Sequence, residues 1–526
     1  VSRSPHRQTL PHAAGVVIPL FALRGAHDVG TGEILDLLDA VEWLASWQHS
    51  VLQLLPIYEA QPDQCSPYDA LSAFAIDPTY VSTSHVVDVQ RSAAAHAWLS
   101  SAAVAAQLLE ARTAPGRQRR IAYDVKLRLL ELGYETFAAS QSEPRARRFD
   151  SFCRRNAWWL DDYALFRALK EEYGWASWET WPAPLRERQP QALTEVAQRL
   201  RTRIRFCMYV QWIAAEQWAT VRSAARARGV LLKGDLPFVC ARDSADVWAQ
   251  QDLFDFSGSA GAPPDAFSAS GQAWGLPLYD WDAHRRSGYA WWRRRARHAR
   301  ELYDMFRVDH VVGLYRTYSL PLREGGTAGF VPPEEAAQRT QGQTLMSALL
   351  EEAGHTTVVA EDLGTVPPWV RASLAGLHVP GYKVFRWERL EDGTYIDPRS
   401  YPVLSIATTG THDTETLVTW WHAIDADERG AALQCLGLED ASTSWPEVHH
   451  TLLERLYESG SALTILPIQD LFGWAERINL PGTVGPQNWT YRLPAPTRQL
   501  DRLPGITAQL ERVRTLIEAT GRGRRR

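Results

Sequence analysis

The chain of 526 residues has little that would mark it for export, metal binding or nucleic acid. Its five cysteines, at 65, 153, 207, 240 and 435, are odd in number, widely spaced and form no CxxC pair. That excludes a disulfide framework and a zinc ribbon, and leaves reduced thiols in a cytoplasmic protein as the expectation. No run of about 18 apolar residues is present, so no membrane-spanning helix is expected. The opening VSRSPHRQTLPHAAG lacks the apolar stretch of an export signal. Positive charge is not in excess: the net charge is −5 and the pI about 6.3, which gives nucleic acid no electrostatic footing. The one basic run, GRGRRR at the end, reads as a solvated terminus. Lysine stands only at 126, 170, 233 and 383, and arginine carries nearly all the positive charge.

Several catalytic motifs are missing as well. There is no HExxH or calcium-loop pattern, no GK[ST] or GxGxxG turn and no GxSxG elbow. The expectation is an enzyme without metal or cofactor, without nucleic-acid or membrane partner, and monomeric or weakly homo-oligomeric. A hydrophobic fraction of 45% and a charged fraction of 22% suit a globular enzyme with a large core. The 22 tryptophans suit sugar rings and core packing equally.

Against these absences, three apolar runs stand out because each ends in carboxylates. MFRVDHVVG (305–313) carries Arg307, Asp309 and His310. TTVVAEDLG (356–364) ends in Glu361 and Asp362, and SIATTGTHDT (405–414) in His412 and Asp413. Alternate side chains of a strand share a face, so Arg307 and Asp309 point the same way. Strand-like runs begin near 15, 50, 230, 305, 356, 381, 405 and 461, with mostly helical text between them. Eight such repeats predict an α/β fold, a (β/α)8 TIM barrel with inserted, largely helical subdomains. A doubly wound open sheet is the alternative.

The expected organisation is one catalytic barrel over 15–500, with a helical insertion (58–228) after the second strand. A loop or subdomain (239–304) follows the third strand, a short insertion (314–355) the fourth, and a disordered basic tail covers 515–526. Thr31 is placed to cap the first helix. A long periodic helix with Leu193, Val196, Leu200, Ile204, Trp218 and Val221 on one side is ended by Gly229.

Strand C-termini of a barrel converge on one mouth. Asp235, Asp309, Glu361 and Asp413 would meet there, and with metal, phosphate and acyl-transfer motifs missing, glycoside chemistry remains. It needs one ionised and one protonated carboxyl group. Arg307 would hold Asp309 ionised, and crowding by carboxylates would raise Glu361.

KGDLP, RVDHVVG, VVAEDLG and TGTHDT together resemble the four ordered signature stretches of the α-amylase clan. SPYDALSAFAIDP (66–78), GDLPFVCARDSADVWA (234–249), GAPPDAFSASGQAWGLPLYDW (261–281) and RINLPGTVGPQNW (477–489) narrow the likeness to the amylomaltases. These are the 4-α-glucanotransferases, or disproportionating enzymes, of glycoside hydrolase family 77. The resemblance spans roughly 15–495. It implies retaining transfer of an α-1,4-glucan to another sugar, with Asp309 as nucleophile, Glu361 as general acid/base and Asp413 as the group that orients sugar hydroxyls. It further implies that Tyr68, Asp235, Arg307, His310 and His412 hold the transferred sugar. Asp265, Gln272 and Trp274 would lie on a covering loop (261–277), and Asn479 would reach in from the last βα region. An α-glucan hydrolase and a catalytically silent glycan-binding protein are the rival readings. The chain departs from many relatives at Ala266, at Val311-Val312 and in QPDQC, where some members carry a tyrosine.

Overall fold

The computed structural model describes residues 8, 10–140, 143–264, 272–322, 327–438 and 443–524. Eight parallel strands form the barrel: β1 (Ala13–Val17), β2 (Val51–Gln53), β3 (Leu231–Leu236), β4 (Met305–Val308), β5 (Thr357–Ala360), β6 (Gly381–Val384), β7 (Ser405–Thr408) and β8 (Leu463–Pro467). They lie in the order β6-β7-β8-β1-β2-β3-β4-β5, so every expected strand is present and the open-sheet alternative falls. Val17, Val51, Met305, Val359, Val384, Ile406 and Ile465 fill the lumen as one apolar cluster. The register pairs Asp235 with Arg307 and Arg307 with Val359, which puts the first two charges side by side above that cluster. Both are buried, Asp235 almost completely.

The region after β2 is helical, as its periodicity suggests. Helix Arg201–Ala227 buries Phe206, Tyr209, Ile213, Trp218 and Val221 and lies along helix Glu143–Glu172. Each such large side chain contributes about 1.5–3 kcal/mol when fully buried. Gly229, with φ +66°, follows the helix where a left-handed residue is needed. The periodic stretch is two helices, Pro190–Arg199 and Arg201–Ala227, interrupted at Leu200. Trp181, Trp218, Trp248 and Trp292 are fully buried, so much of the tryptophan is core.

The structure corrects three further expectations. Thr31 caps nothing: helix Asp36–Ser46 has no side-chain cap, and the Thr31 hydroxyl accepts from Arg117 Nε (3.2 Å). The insertions after β3 (239–304) and β4 (314–355), expected as a loop or subdomain and a short insertion apart from it, are joined. Strands Phe254–Ala262, Gln272–Tyr279, Thr317–Pro321 and Gly329–Val331 pair into one antiparallel sheet drawn from both. Two hairpins, Phe254–Ala262 with Gln272–Tyr279 and Thr317–Pro321 with Gly329–Val331, are joined by the long-range pairing of Gly258–Gly261 with Tyr318–Pro321, which no local periodicity announces.

The third correction concerns the tail. Residues 515–519 belong to helix Ile506–Ala519, which buries Ile506, Leu510, Val513 and Ile517 on one face. Arg522 is wholly buried, donating to the carbonyls of Tyr457 (2.5 Å), Ser459 (2.6 Å), Ser461 (2.8 Å) and Ala462 (3.0 Å). Its own carbonyl accepts from Ala14 N (3.2 Å), so the tail is stitched to β1 and to the segment entering β8. A charge run says nothing of carbonyls waiting elsewhere, whereas one guanidinium offers five donors in a fixed fork. Residues 525 and 526 lie outside the described residues. Arg522→Ala should lower stability by about 3 kcal/mol, because it leaves several buried carbonyls without donors. Denaturant unfolding checks this, and a variant within about 0.5 kcal/mol of the parent, the range of ordinary surface changes, would contradict it. Among the described residues no helix is long and apolar enough to cross a membrane.

Candidate active site

Arg307, on β4, organises the mouth. Its Nη1 donates to Asp235 Oδ2 (2.6 Å), and its Nη2 lies 2.8 Å from Asp309 Oδ1 and 3.9 Å from Glu361 Oε2. The period-2 expectation that Arg307 and Asp309 share a face is therefore met. The two oxygens facing Nη2 can be no further apart than the sum of those two distances. That ceiling admits the spacing of about 5–5.5 Å between carboxyls in retaining glycosidases and reaches only the lower edge of the inverting range, about 6.5–9.5 Å.

Asp309 and Glu361 each extend the ladder by one bond beyond their strands. Asp309 N donates to Leu236 O (3.1 Å) and Glu361 N to Val308 O (3.0 Å). Glu361 Oε2 accepts from His310 N (2.8 Å) and Oε1 from Leu363 N (3.1 Å). To present that N–H, His310 adopts φ +42°, a left-handed conformation rare for a non-glycine residue. Its ring meets Trp274 edge-on, with centroids 5.0 Å apart.

Asp413 is held from both sides. His412 Nε2 lies 3.1 Å from Oδ2, and Asn479 Nδ2 donates to Oδ1 (2.6 Å). Tyr68 closes the ring of contacts: its hydroxyl donates to Asp235 Oδ2 (2.7 Å) and its ring stacks on His412, with centroids 5.1 Å apart. Nine of the residues singled out in the sequence are thus connected: Tyr68, Asp235, Arg307, Asp309, His310, Glu361, His412, Asp413 and Asn479. Trp274 joins through His310. Gln272 is exposed, two residues before Trp274, at the head of its strand. Asp265 lies outside the described residues.

Two residues were passed over in the sequence although they stand in the quoted RINLPGTVGPQNW. Arg477 donates to the backbone oxygens of Asp413 (2.5 Å) and Asn479 (2.5 Å), and so fixes one to the other. Trp489 packs against the rings of Tyr68 (5.8 Å) and His412 (5.7 Å). Neither has a local signal, because what gives each its meaning, Asp413 for Arg477 and Tyr68 and His412 for Trp489, lies far away in the chain.

The electrostatics divide the carboxylates. Burial pushes Glu361 up to about 7; Arg307 opposes this and the charge of Asp309 adds to it. Burial also raises Asp309 above the ordinary aspartate value, with Arg307 and His412 opposing and Asp235 and Asp413 adding. Arg307 therefore limits the shift of Asp309 and does not reverse it, contrary to the simple ion-pair expectation. Distance still separates the pair, since Arg307 touches Asp309 and stands off from Glu361, so the shared proton resides on Glu361. Asp413 is 43% exposed at its side chain against 12% for Glu361. Burial raises it less than His412 and Asn479 lower it, and it is held at about 2. Burial alone would lower His412, but Asp413 overrides this and raises it. Burial, with Arg307, pushes His310 down to about 4, so it is neutral at physiological pH.

Such a site has one protonated acid, one paired carboxylate facing it and one permanently charged carboxylate nearby. It can protonate a leaving oxygen and offer a nucleophile in one pocket.

Comparison with known proteins bears on what passes through it. The family model described as 4-alpha-glucanotransferase matches residues 18–498. The chain is 32% identical over 491 residues to the 4-alpha-glucanotransferase of Chlamydia caviae, covering 91% of this chain and 90% of the relative. It is 32% identical over 536 residues to that of Thermus thermophilus, covering 98% and 99%. The solved amylomaltase from Streptococcus agalactiae in complex with acarbose superposes with a TM-score of 0.82 at 25% identity, over 97% of this chain and 99% of that one.

Proposed function

The chain belongs to the 4-alpha-glucanotransferase family, and from that premise we propose how this site carries out transfer. The protein is a retaining 4-α-glucanotransferase acting on α-1,4-glucans. Asp309 attacks the anomeric carbon, and the C–O bond to the departing glucan breaks as Glu361 gives its proton to the leaving 4-oxygen. A covalent glycosyl-enzyme on Asp309 results. Glu361, now ionised, takes the proton from the 4-hydroxyl of an incoming sugar, whose oxygen attacks the anomeric carbon and frees Asp309. Two inversions give net retention. Asp413, charged and the most exposed of the three, binds sugar hydroxyls. Tyr68, Asp235, His310, His412 and Asn479 shape the subsite around them. The observation that carries this reading is the Arg307 guanidinium, in contact with Asp309 and 3.9 Å from Glu361, which pairs the nucleophile and leaves the acid close by but unpaired.

Transfer and hydrolysis share the glycosyl-enzyme and differ in what attacks it. With water at about 55 M, transfer requires a bound sugar acceptor and a pocket where water does not react productively. The segment 261–277 is the proposed cover, and Trp274, set against His310, its anchor. With maltotriose as substrate, the expected result is glucose plus longer maltooligosaccharides at a nearly constant total of reducing ends. Reducing ends that rise with every bond cut, and no chain longer than the substrate, would make the protein a hydrolase. Trp274→Ala should impair transfer more than residual hydrolysis, by about tenfold if one well-placed contact to the acceptor is lost. Equal losses would remove Trp274 from the acceptor side.

A further inference from the structure

Lysine is rare in this chain, and where it occurs it has a carboxylate partner, with one exception. Lys126 pairs with Glu33 (2.8 Å), Lys170 with Asp243 (2.6 Å) and Lys383 with Glu388 (2.8 Å). Lys233, fully buried on β3, has no ion pair among the described residues. Its Nζ lies 2.7 Å from Gln53 Oε1 on β2 and 2.6 Å from Tyr382 Oη on β6. Taking an amine out of water without a counter-ion is costly, and burial brings this one well below the ordinary lysine value. An aliphatic side chain would fill the lumen without that penalty.

What the amine holds is specific. Seven of the eight junctions between neighbouring barrel strands are ladders. The eighth, between β5 and β6, is crossed by one backbone bond, Ala360 N to Pro380 O (2.9 Å), and by Tyr382 N donating to Asp362 Oδ1 (2.8 Å). Gly381 makes the second approach possible, because a Cβ there would stand 2.5 Å from the Asp362 carboxylate. Glu361 sits on this seam, next to Asp362. Tyr382 is therefore gripped twice, by its phenol from β3 across the lumen and by its backbone from the residue after Glu361.

We propose that Lys233 is a positioning residue for the acid/base step: acting through Tyr382 and Asp362, it braces the one weakly paired seam of the barrel and so holds Glu361 in register with Asp309. This rests on the assignment of Glu361 as acid/base. A group that only stabilised the barrel would affect every step alike, whereas one that positions Glu361 affects only steps that need a proton moved.

The test uses Lys233→Met and, as a milder change that removes only the phenolic oxygen, Tyr382→Phe, in the full chain. Two donors are compared. Maltotriose needs its leaving oxygen protonated. α-Maltotriosyl fluoride does not: the C–F bond electrons leave with fluoride as Asp309 bonds to the anomeric carbon. For both variants maltotriose turnover should fall about 10- to 100-fold, the cost of roughly 1 Å of misplacement, with KM little changed. The pre-steady-state burst of fluoride should keep the parent's rate. A burst slowed by the same factor as maltotriose turnover, or maltotriose turnover at the parent's level, overturns the proposal. If Lys233→Met does not fold, Tyr382→Phe alone gives the same reading. Glu361→Gln is the separate check on the premise: it must itself keep the fast burst and lose maltotriose turnover. A slowed burst there would refute the role of Glu361 independently of Lys233.

Discussion

Asp309→Ala is expected to lower turnover of maltooligosaccharides by at least about 10^4-fold, because removal of a nucleophile leaves only binding and electrostatic contributions. The substitution also frees Arg307 from its 2.8 Å contact and leaves Glu361 without the neighbouring charge that helps to raise it. The acid should then lose its proton at lower pH, so two parts of the mechanism fail together. The same step can be made visible directly. In Glu361→Gln with α-maltotriosyl fluoride, the glycosyl-enzyme forms without an acid and breaks down slowly for want of a base. Mass spectrometry should find the added glycosyl mass on the peptide that contains Asp309. An adduct on another residue, or Asp309→Ala retaining more than about one part in a hundred of the parent's turnover, is incompatible with a nucleophile at this position.

The second large effect belongs to Glu361. General acid/base catalysis contributes about 10²- to 10⁴-fold, and Glu361→Gln should cost that much with an unactivated donor. The pH dependence carries a sign that can be checked. Glu361 must be protonated in the free enzyme, and its carboxyl stands at about 7, so kcat/KM should fall as pH rises through about 7. On the acid side Asp309 must be ionised. Its value lies above the usual aspartate range, so the acid limb should begin at higher pH than a solvated aspartate would give. Asp413, held at about 2, is charged throughout and contributes no limb in the working range. In Glu361→Gln the alkaline limb should be gone, because glutamine does not titrate. An unchanged limb in that variant would assign the acid to another group.

Both effects depend on Arg307, whose contacts show how much of the site can be read along the chain. Arg307 and Asp309 stand two residues apart on one strand, and the pleat alone puts them on one face. Glu361 and Asp413 follow apolar runs of strand length, and eight such runs separated by helical text leave few arrangements other than a barrel whose strand ends converge. The strand runs, the barrel and the carboxylates at its mouth were therefore legible, because they follow from periodicities of two and 3.6 that act over a few residues.

What only the tertiary structure decided involves partners far apart in sequence. Tyr68 meets Asp235, and Asn479 meets Asp413, across 167 and 66 residues. Arg477 and Trp489 had no local mark because their meaning lies in Asp413, Tyr68 and His412. The antiparallel sheet beside the mouth joins segments from two insertions, and Arg522 is buried because unpaired carbonyls meet it at the foot of the barrel, although its neighbours suggest solvent. Composition made lysine scarce, but only barrel closure set Lys233 opposite Tyr382. The proton on Glu361 is decided at the same level: a carboxyl group's pKa depends on burial and on charges within a few ångströms, and those distances exist only once the strands have closed.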